Sequence, residues 1–203
     1  MKLLVATKNN GKIKELSELL TDLPVQIFGL NAFDNIFEPE ETGQTFAANA
    51  VLKANSYALQ TGSWALSDDS GLEVEALGGA PGIYSARYAG EKATDHDRII
   101  KLLEEIAETR DEMRRARFVC AMAIADEKGA ITFIAEGVCS GKIAFKPGGT
   151  NGFGYDPIFI PDGFEQTFGE LSSDIKHKIS HRARAIEKIM RFLRSFTAHE
   201  LDQ

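Results

Sequence analysis

Cysteine is scarce in this sequence, which has only Cys120 and Cys139 among its 203 residues. A disulfide framework or a zinc site would need more of them, so we expect both to be small buried hydrophobic residues on neighbouring strands. No stretch approaches the ~18 apolar residues of a membrane-spanning helix. The apolar start reaches Lys8 before it attains the length of a signal-peptide core. We therefore expect a cytoplasmic protein without a membrane partner.

Positive charge is also in short supply, since 23 lysines and arginines stand against 30 aspartates and glutamates and give a formal net charge of -7. This balance argues against a surface that coats nucleic acid, so we expect no nucleic-acid partner. Any bound anion must be held by a local basic site. Internal repeats and low-complexity tracts are absent, and the length suits a single domain over residues 1–203.

Helices are predicted where apolar residues recur at the helical spacing behind a capping residue. The first follows the polar turn at residues 7–12, and the second is capped by Thr45. Thr94 and Asp97 form a predicted capping box for the third helix. The last helix begins after Ser180, which is its predicted N-cap.

Strands are predicted at five short apolar runs, which cover residues 3–6, 25–28, 118–125, 131–138 and 158–160. The third and fourth runs are joined by a short glycine-containing loop and are apolar on both faces, so we expect a hairpin near the middle of a sheet. Strand–helix units mixed with a hairpin predict an α/β or α+β fold with a mixed sheet.

Two adjacent carboxylates distinguish a further buried run, residues 64–72. This run predicts a strand that ends at Asp68 and Asp69, with Ser70 directly after them. Burying an ionised aspartate without a partner costs several kcal/mol. The pair therefore predicts either a turn that the side chains cap, or a cation-binding or catalytic site. Because adjacent strand residues point to opposite faces, only one of the two can face a metal in the same way.

Acidic and basic side chains elsewhere suit a nucleotide and its metal. Glu40 and Glu41 precede a helix, where they either complement the helix dipole or converge with Asp69 on Mg²⁺. The strand, turn and helix start around residues 7–12 suit a phosphate group, although an ordinary capped helix would have the same pattern. His181 and Arg182 oppose the dipole at a helix start, which favours a compensating anion or ligand there.

A loop with four glycines and two aromatic residues occupies positions 147–157. A flat base could stack on Phe153 or Tyr155 with about 1–3 kcal/mol of favourable free energy. The alternative is a wide turn whose rings fold back onto the core. The sequence of the loop alone leaves both interpretations, base stacking and buried rings, open.

The order of six motifs resembles the inosine/xanthosine triphosphate pyrophosphatases, also called the Ham1-like family. The resemblance covers nearly the whole chain and rests on residues 7–12, 40–46, 68–72, 78–82, 152–157 and 180–182. It implies an elongated α/β fold with a mixed central sheet, two lobes around a nucleotide-binding cleft, and a homodimer. It also implies Mg²⁺-dependent hydrolysis of ITP, dITP and XTP to the nucleoside monophosphate and pyrophosphate.

The same resemblance implies a role for individual residues. Asp69 would bind the metal and accept a proton, with Glu40 favoured over Glu41 as the second metal ligand. The triphosphate would be held by Thr7, Lys8, Asn9, Asn10, Gly11 and Lys12. Further substrate contacts would come from Ser70, Phe153, Gly154, Tyr155, Asp156, Lys176, His181 and Arg182.

Two other functions stay open at this point. One is a pyrophosphatase that acts on modified pyrimidine or canonical deoxynucleoside triphosphates. The other is a nucleotide-sensing module that binds without turnover. A 6-oxo purine offers an acceptor where adenine offers a donor, so donors such as Arg182 or backbone N–H groups would favour ITP and XTP.

Overall fold

The computed structural model describes residues 2–20 and 25–201, except for the side chains of 197–201. Its strands are β1 (Lys2–Val5), β2 (Gln26–Gly29), β3 (Trp64–Val74), β4 (Arg115–Ala125), β5 (Ile131–Ile143) and β6 (Phe159–Pro161). Its α-helices are α1 (Asn10–Leu19), α2 (Phe46–Thr61), α3 (Asp95–Glu105), α4 (Ser173–Ile179) and α5 (His181–Leu201). Short 3-10 helices cover Leu30–Ala32, Glu75–Leu77, Gly82–Arg87, Asp111–Met113 and Asp156–Ile158. No helix in these described ranges is long and apolar enough to cross a membrane.

The strands form one mixed sheet in the order β2-β1-β3-β4-β5-β6. β1 runs parallel to both β2 and β3, whereas β5 and β6 are antiparallel. The predicted α/β class with a mixed sheet is confirmed. β4 and β5 are neighbours joined by the turn at residues 126–130, as the hairpin prediction requires.

One part of the hairpin prediction is wrong. β4 is buried along nearly its whole length, but burial alternates along β5, where Ile134 is 47% exposed. Alternation is typical of a strand with one face on the core and the other in solvent. The apolar residues of β5 therefore do not all belong to the core.

The chain divides into two compact units, each with its own core. The first comprises Met1–Asp69, Cys120–Gly137 and Arg182–Gln203. Its core joins β1, β3 and β4 to α1 and α5 through buried side chains that include Leu3, Leu16, Leu66, Met122, Ile186 and Ile189. Helix α2 also belongs to this unit, and its buried face contains Ala50, Ala54 and Tyr57.

The second unit comprises Ser70–Val119 and Val138–His181. Its core contains Leu72, Ile99, Leu102, Phe118, Ile158, Phe159 and Phe168 among other buried residues. The predicted capping box of α3 is confirmed, because Thr94 and Asp97 each receive the other's backbone N–H. Cys120 lies in the first unit and Cys139 in the second, and both are buried cysteines outside any disulfide, as predicted.

The predicted boundaries of β3 and β6 need correction, and one helix was not predicted. β3 does not end at Asp68 and Asp69 but continues to Val74, so the carboxylates lie inside the strand and not in a turn. The strand predicted at 158–160 begins one residue later, because a 3-10 helix containing Pro157 occupies Asp156–Ile158. Helix α4 was not predicted, since its seven residues show too little periodicity to separate it from a loop.

Candidate active site

Residues 7–12, the basic turn, lie at the start of α1 in the first unit. Asn9 is the N-cap and accepts the Lys12 backbone N–H at 3.1 Å, while the Thr7 hydroxyl accepts the Asn9 N–H at 3.2 Å. Asn10 and Gly11 form the first turn. The exposed Lys8 reaches Glu38 at 3.2 Å. The turn thus presents a lysine and the positive end of a helix, which together favour an anion.

Asp68 belongs to a buried network of four charged side chains. Its Oδ2 lies 2.9 Å from Lys12 Nζ and 3.5 Å from an Arg182 guanidinium nitrogen. Arg182 also contacts Glu15 on α1. Burial alone would raise the pKa of Asp68, but Lys12, Arg182 and Lys53 outweigh it, and the pKa lies well below its usual range. Asp68 is therefore ionised and holds two cations in place.

Asp69 points to a different helix from Asp68. Its Oδ1 lies 3.2 Å from Lys53 Nζ, and its Oδ2 accepts a hydrogen bond from Asn49 Nδ2 at 3.1 Å. Lys53 and Asn49 both lie on α2. Burial raises the pKa of Asp69 above its usual value, although Lys53 and Lys12 act in the opposite direction. A carboxylate with a raised pKa is a better proton acceptor.

Lys53 joins Asp69 to the acidic segment before α2. Its ammonium lies 2.6 Å from Glu41 Oε1, whereas the side chain of Glu40 is exposed. Burial would lower the pKa of Lys53, but Asp69, Asp68 and Glu41 raise it overall, so the ammonium stays charged. The ion pairs thus associate Glu41 more directly with Asp69 than Glu40, whose role as a metal ligand stays a prediction.

Gly43 allows the acidic segment to approach α2. The Asn49 Oδ1 accepts the Gly43 N–H at 2.8 Å, and a Cβ at position 43 would lie 2.6 Å from that same oxygen. Any side chain there would displace Asn49 from the position in which its amide nitrogen also reaches Asp69. The close approach of Asn49 therefore explains why position 43 carries a glycine.

The carboxylates can be tested for their fit to Mg²⁺. Among the described residues, no group of three or more His, Cys, Asp or Glu side chains is arranged to hold a metal ion. Mg²⁺ in nucleotide sites usually takes one or two carboxylates and completes its shell with water and substrate phosphates. Asp69 together with one acid of the 40–41 pair supplies such hard oxygen ligands. The donor set fits a magnesium ion that arrives with its triphosphate.

The glycine-aromatic loop belongs to the second unit and is held by Asp156. Asp156 Oδ2 accepts the Phe153 N–H at 2.8 Å and lies 2.6 Å from Lys176 Nζ. Gly152 has a φ of +75°, and a Cβ on it would lie 2.0 Å from that carboxylate oxygen. Lys176 Nζ also lies 5.0 Å from the centre of the half-buried Phe153 ring, within cation–π range.

Tyr155 contrasts with Phe153 because its ring is only 4% exposed and packs in the core of the second unit. Its hydroxyl donates to the Ser85 carbonyl at 3.0 Å, and burial raises its pKa. Stacking of a base on Tyr155, one of the two predicted possibilities, would require the ring to leave this core. Phe153 is the aromatic residue of the loop with exposed surface.

His181 and Arg182 begin α5, as the position of Ser180 predicts. The His181 ring stacks on Phe118 with centroids 4.7 Å apart, and it is 4% exposed. Arg182 is 1% exposed, and the anions that compensate it at this helix start are Asp68 and Glu15. Their contacts with a nucleotide stay predictions. Ser70, also a predicted contact, lies half-buried on β3.

Three residues of these networks were missed by the sequence analysis: Glu15, Asn49 and Lys53. A signal existed for two of them. Lys53 falls on the buried face of α2, three residues after Ala50 and four before Tyr57, where a lysine is out of place. Glu15 follows Lys12 by three residues, so both share one face of α1. Nothing in the sequence distinguishes Asn49.

Comparisons with known proteins support the family resemblance that the six motifs indicate. The sequence matches a model of the Ham1 family over residues 3–192. A dITP/XTP pyrophosphatase of Desulforamulus reducens is 48% identical over 200 residues, which cover 98% of this chain and 99% of that protein. A dITP/XTP pyrophosphatase of Bacillus anthracis is 48% identical over 187 residues, which cover 92% and 93% of the two chains.

Solved structures give the same result for the fold. A HAM1 protein from Coxiella burnetii superposes with a TM-score of 0.88 at 43% identity, covering 96% of this chain and 99% of that one. The Staphylococcus aureus Ham1 protein superposes with a TM-score of 0.85 at 40% identity and the same coverage.

Proposed function

The chain belongs to the Ham1 family, and from that premise we propose that it hydrolyses dITP, ITP and XTP to the nucleoside monophosphate and pyrophosphate. The observation that carries the chemistry is the buried cluster around Asp69, in which Lys53 pairs with both Asp69 and Glu41. A buried carboxylate with a raised pKa beside a fixed ammonium is suited to accept a proton from water next to a polyanion.

The phosphate chain would be held by the start of α1. Its positive end would bind phosphate oxygens together with Lys8, whose exposed ion pair with Glu38 a phosphate would replace, and Lys12 extends from the same turn to Asp68. Attack of water on the α-phosphorus builds negative charge on the phosphate oxygens, which these positive groups stabilise. Asp69 would orient the attacking water and take its proton, while pyrophosphate departs.

We assign Mg²⁺ to Asp69 and to one acid of the pair Glu40 and Glu41. When bound, the ion would neutralise phosphate charge and polarise the phosphoryl group. The structure favours Glu41 only in that Lys53 already links it to Asp69.

The base would stack on Phe153, whose backbone position is fixed by Asp156 and whose ring lies against Lys176. The N–H groups of Phe153 and Gly154 already donate to the carboxylates of Asp156 and Asp95. Recognition of the 6-oxo group therefore falls to other donors, of which Arg182 or a different backbone N–H group is the predicted one. A single domain with two lobes over residues 1–203, a cytoplasmic location and a homodimer remain proposals of this assignment.

A panel of triphosphates tests the proposal, with ITP, XTP, dITP, ATP, dTTP and a modified pyrimidine triphosphate each assayed with Mg²⁺. We expect pyrophosphate as the first product, and faster turnover of the three 6-oxo purine substrates. Orthophosphate as the first product would contradict the mechanism. Preference for a pyrimidine or a canonical substrate would support the other enzymatic reading, and tight binding without turnover would support a sensing module.

Two substitutions separate the roles of the residues. Asp69→Asn should lose most of kcat, because its carboxylate takes part in the chemistry, whereas Phe153→Ala should chiefly raise KM. Asp162→Asn changes an exposed aspartate that pairs with Arg115 and serves as the matched control with unchanged kinetics. Near-native turnover of Asp69→Asn would overturn the assignment.

A further inference from the structure

The loop that carries Phe153 has two consecutive backbone N–H groups, and each donates to a carboxylate. The Phe153 N–H donates to Asp156 Oδ2 at 2.8 Å, from within the loop itself. The Gly154 N–H donates to Asp95 Oδ2 at 2.7 Å, across 59 positions of sequence. Gly154 has a φ of +61°, a conformation in which glycine is favoured and which an external hydrogen bond helps to hold. Asp95 is therefore the long-range anchor of this peptide.

Asp95 is itself firmly placed. It is the first residue of α3 and directly follows the N-cap Thr94, inside the capping box that Thr94 forms with Asp97. Ile99 and Leu102 fix the same helix in the core of the second unit. The other oxygen of Asp95 pairs with Arg98, which also donates to the Ala86 carbonyl. A carboxylate held on a rigid helix can set the position of a flexible glycine loop.

From these contacts we infer that Asp95 is a positioning residue for the nucleotide base: it holds the Phe153–Gly154 peptide so that the Phe153 ring is ready for stacking. The inference rests on the proposed function, in which the base stacks on Phe153. Asp95 acts through the backbone of Gly154 and has no part in the chemistry at Asp69. Its loss should therefore weaken nucleotide binding and leave the chemical step unchanged.

Asp95→Ala tests the inference, with Asp97→Ala as the matched control. Both residues are acids in the first turn of α3, but in the part of the chain that the structure describes the side chain of Asp97 hydrogen-bonds to Thr94 and not to the loop. The side chain of Asp95 is 44% exposed, and Arg98, which loses this partner, keeps its hydrogen bond to the Ala86 carbonyl, so the fold should persist. We expect Asp95→Ala to raise KM for ITP about tenfold with kcat within about twofold. Asp97→Ala should leave both constants unchanged despite a lower melting temperature.

A double-mutant cycle asks whether Asp95 acts through Phe153. If it does, Asp95→Ala should raise KM much less in a Phe153→Ala background than in the native chain. An equal increase in both backgrounds would overturn the inference, as would an unchanged KM in the single variant. A rise in KM of the same size in Asp97→Ala would show that any weakening of α3 suffices, and would overturn it as well.

Amide hydrogen exchange without nucleotide separates this inference from the proposed function. Protection of the Gly154 N–H should fall in Asp95→Ala and persist in Asp97→Ala, whatever substrate the protein takes. Unchanged protection of Gly154 in Asp95→Ala would disprove the anchor itself. Loss of protection in a protein that fails to hydrolyse any triphosphate of the panel would instead show that the anchor exists and that the proposed function is wrong.

Discussion

The pKa values of the two adjacent aspartates on β3 are shifted in opposite directions from their usual value. Asp68 and Asp69 are both buried, and burial alone would raise the pKa of each carboxyl group. The outcome differs because Asp68 faces Lys12 and Arg182, whereas Asp69 has Lys53 close by and Glu41 near that same lysine. The first carboxylate is suited to hold cations, and the second to accept a proton.

Asp68→Asn should be strongly destabilising. The substitution keeps the shape of the side chain but leaves the buried ammonium of Lys12 without its anion and Arg182 with Glu15 alone. Breaking a buried ion pair on one side costs about 3–5 kcal/mol. We expect a loss of that order in the free energy of unfolding, measured by urea denaturation at pH 7 without nucleotide. A loss below about 1 kcal/mol would show that the network does not depend on Asp68.

The pH dependence of that loss has a defined sign. The pKa of Asp68 is lowered on folding, so its ionised form stabilises the native state fully above the ordinary carboxyl pKa of about 3.9, and this contribution declines steadily as the pH falls from there toward the folded pKa. The difference in stability between the native protein and Asp68→Asn should therefore shrink from pH 7 to pH 3. Urea titrations at both values provide the comparison, and a difference that grows toward pH 3 would contradict it.

Asp69 should show the opposite linkage. Its pKa is raised on folding, so the stability associated with the protonated group is lost as the pH rises through the folded pKa. At pH 7 the ionised group thus lowers the stability of the protein without ligand. Asp69→Asn should therefore reduce the free energy of unfolding far less than Asp68→Asn does. Urea denaturation of both variants at pH 7, without nucleotide or Mg²⁺, measures the difference, and a loss in Asp69→Asn as large as that in Asp68→Asn would contradict it.

At the level of single residues, the sequence could identify positions but not partners. The motif around Asp69 and the lysines of the basic turn were recognisable because carboxylates and cations stood at the ends of apolar runs. The function of Asp68 could not be recognised from the sequence, because it depends on Glu15 and Arg182, which are 167 positions apart in the chain. Lys53 was accessible in principle, since it stands on the buried face of α2.

At the level of elements, Arg114 connects several chain segments through its guanidinium. This side chain is 1% exposed and donates to the carbonyls of Ile143 and Ala144 at 3.0 Å and of Ile106 at 2.8 Å. Ile106 directly follows α3, Ile143 ends β5, and Arg114 itself precedes β4. One buried arginine thus satisfies carbonyl groups at the ends of separate elements.

Arg114→Met removes the donors while it keeps most of the side-chain volume. Buried carbonyls left without a donor cost about 1–3 kcal/mol each, so we expect the free energy of unfolding to fall by at least about 3 kcal/mol. Arg115→Met is the matched control, because Arg115 is exposed and pairs with exposed Asp162, an interaction that contributes about 0–1 kcal/mol. Equal effects of the two substitutions, measured by urea denaturation, would refute the role of Arg114.

Elements with strong local signals were predicted, and those that depend on distant contacts were not. α2 and α3 were recognised because Thr45, Thr94 and Asp97 form caps with neighbours in sequence. The end of β3 was misplaced because Lys12 and Lys53, which compensate its carboxylates, lie on other elements. The one-sided burial of β5, by contrast, was readable, because three of its four exposed positions, 132, 136 and 140, carry polar residues, and the prediction overlooked this alternation.

On the scale of the whole molecule, every boundary between the two units falls inside a regular element. The divisions after Asp69, Val119 and Gly137 lie within β3, β4 and β5, and the division after His181 lies in the first turn of α5. Unfolding of either unit alone would therefore cut three strands in mid-course and leave backbone groups of the other half without their continuous ladder. Two cores are thus expected to unfold in one cooperative transition.

Trp64 provides the test of this cooperativity, because it is the only tryptophan of the chain and lies in the first unit, against Phe196. Leu102→Ala creates a cavity in the core of the second unit, where the side chain is fully buried, and should cost about 2–5 kcal/mol. If unfolding is cooperative, the urea midpoint seen by Trp64 fluorescence should fall by as much as the midpoint seen by far-UV circular dichroism. Leu66→Ala, in the first core, should shift both midpoints in the same way. A Trp64 midpoint that stays unchanged in Leu102→Ala while the dichroism midpoint falls would show that the units unfold separately, in spite of the strands they share.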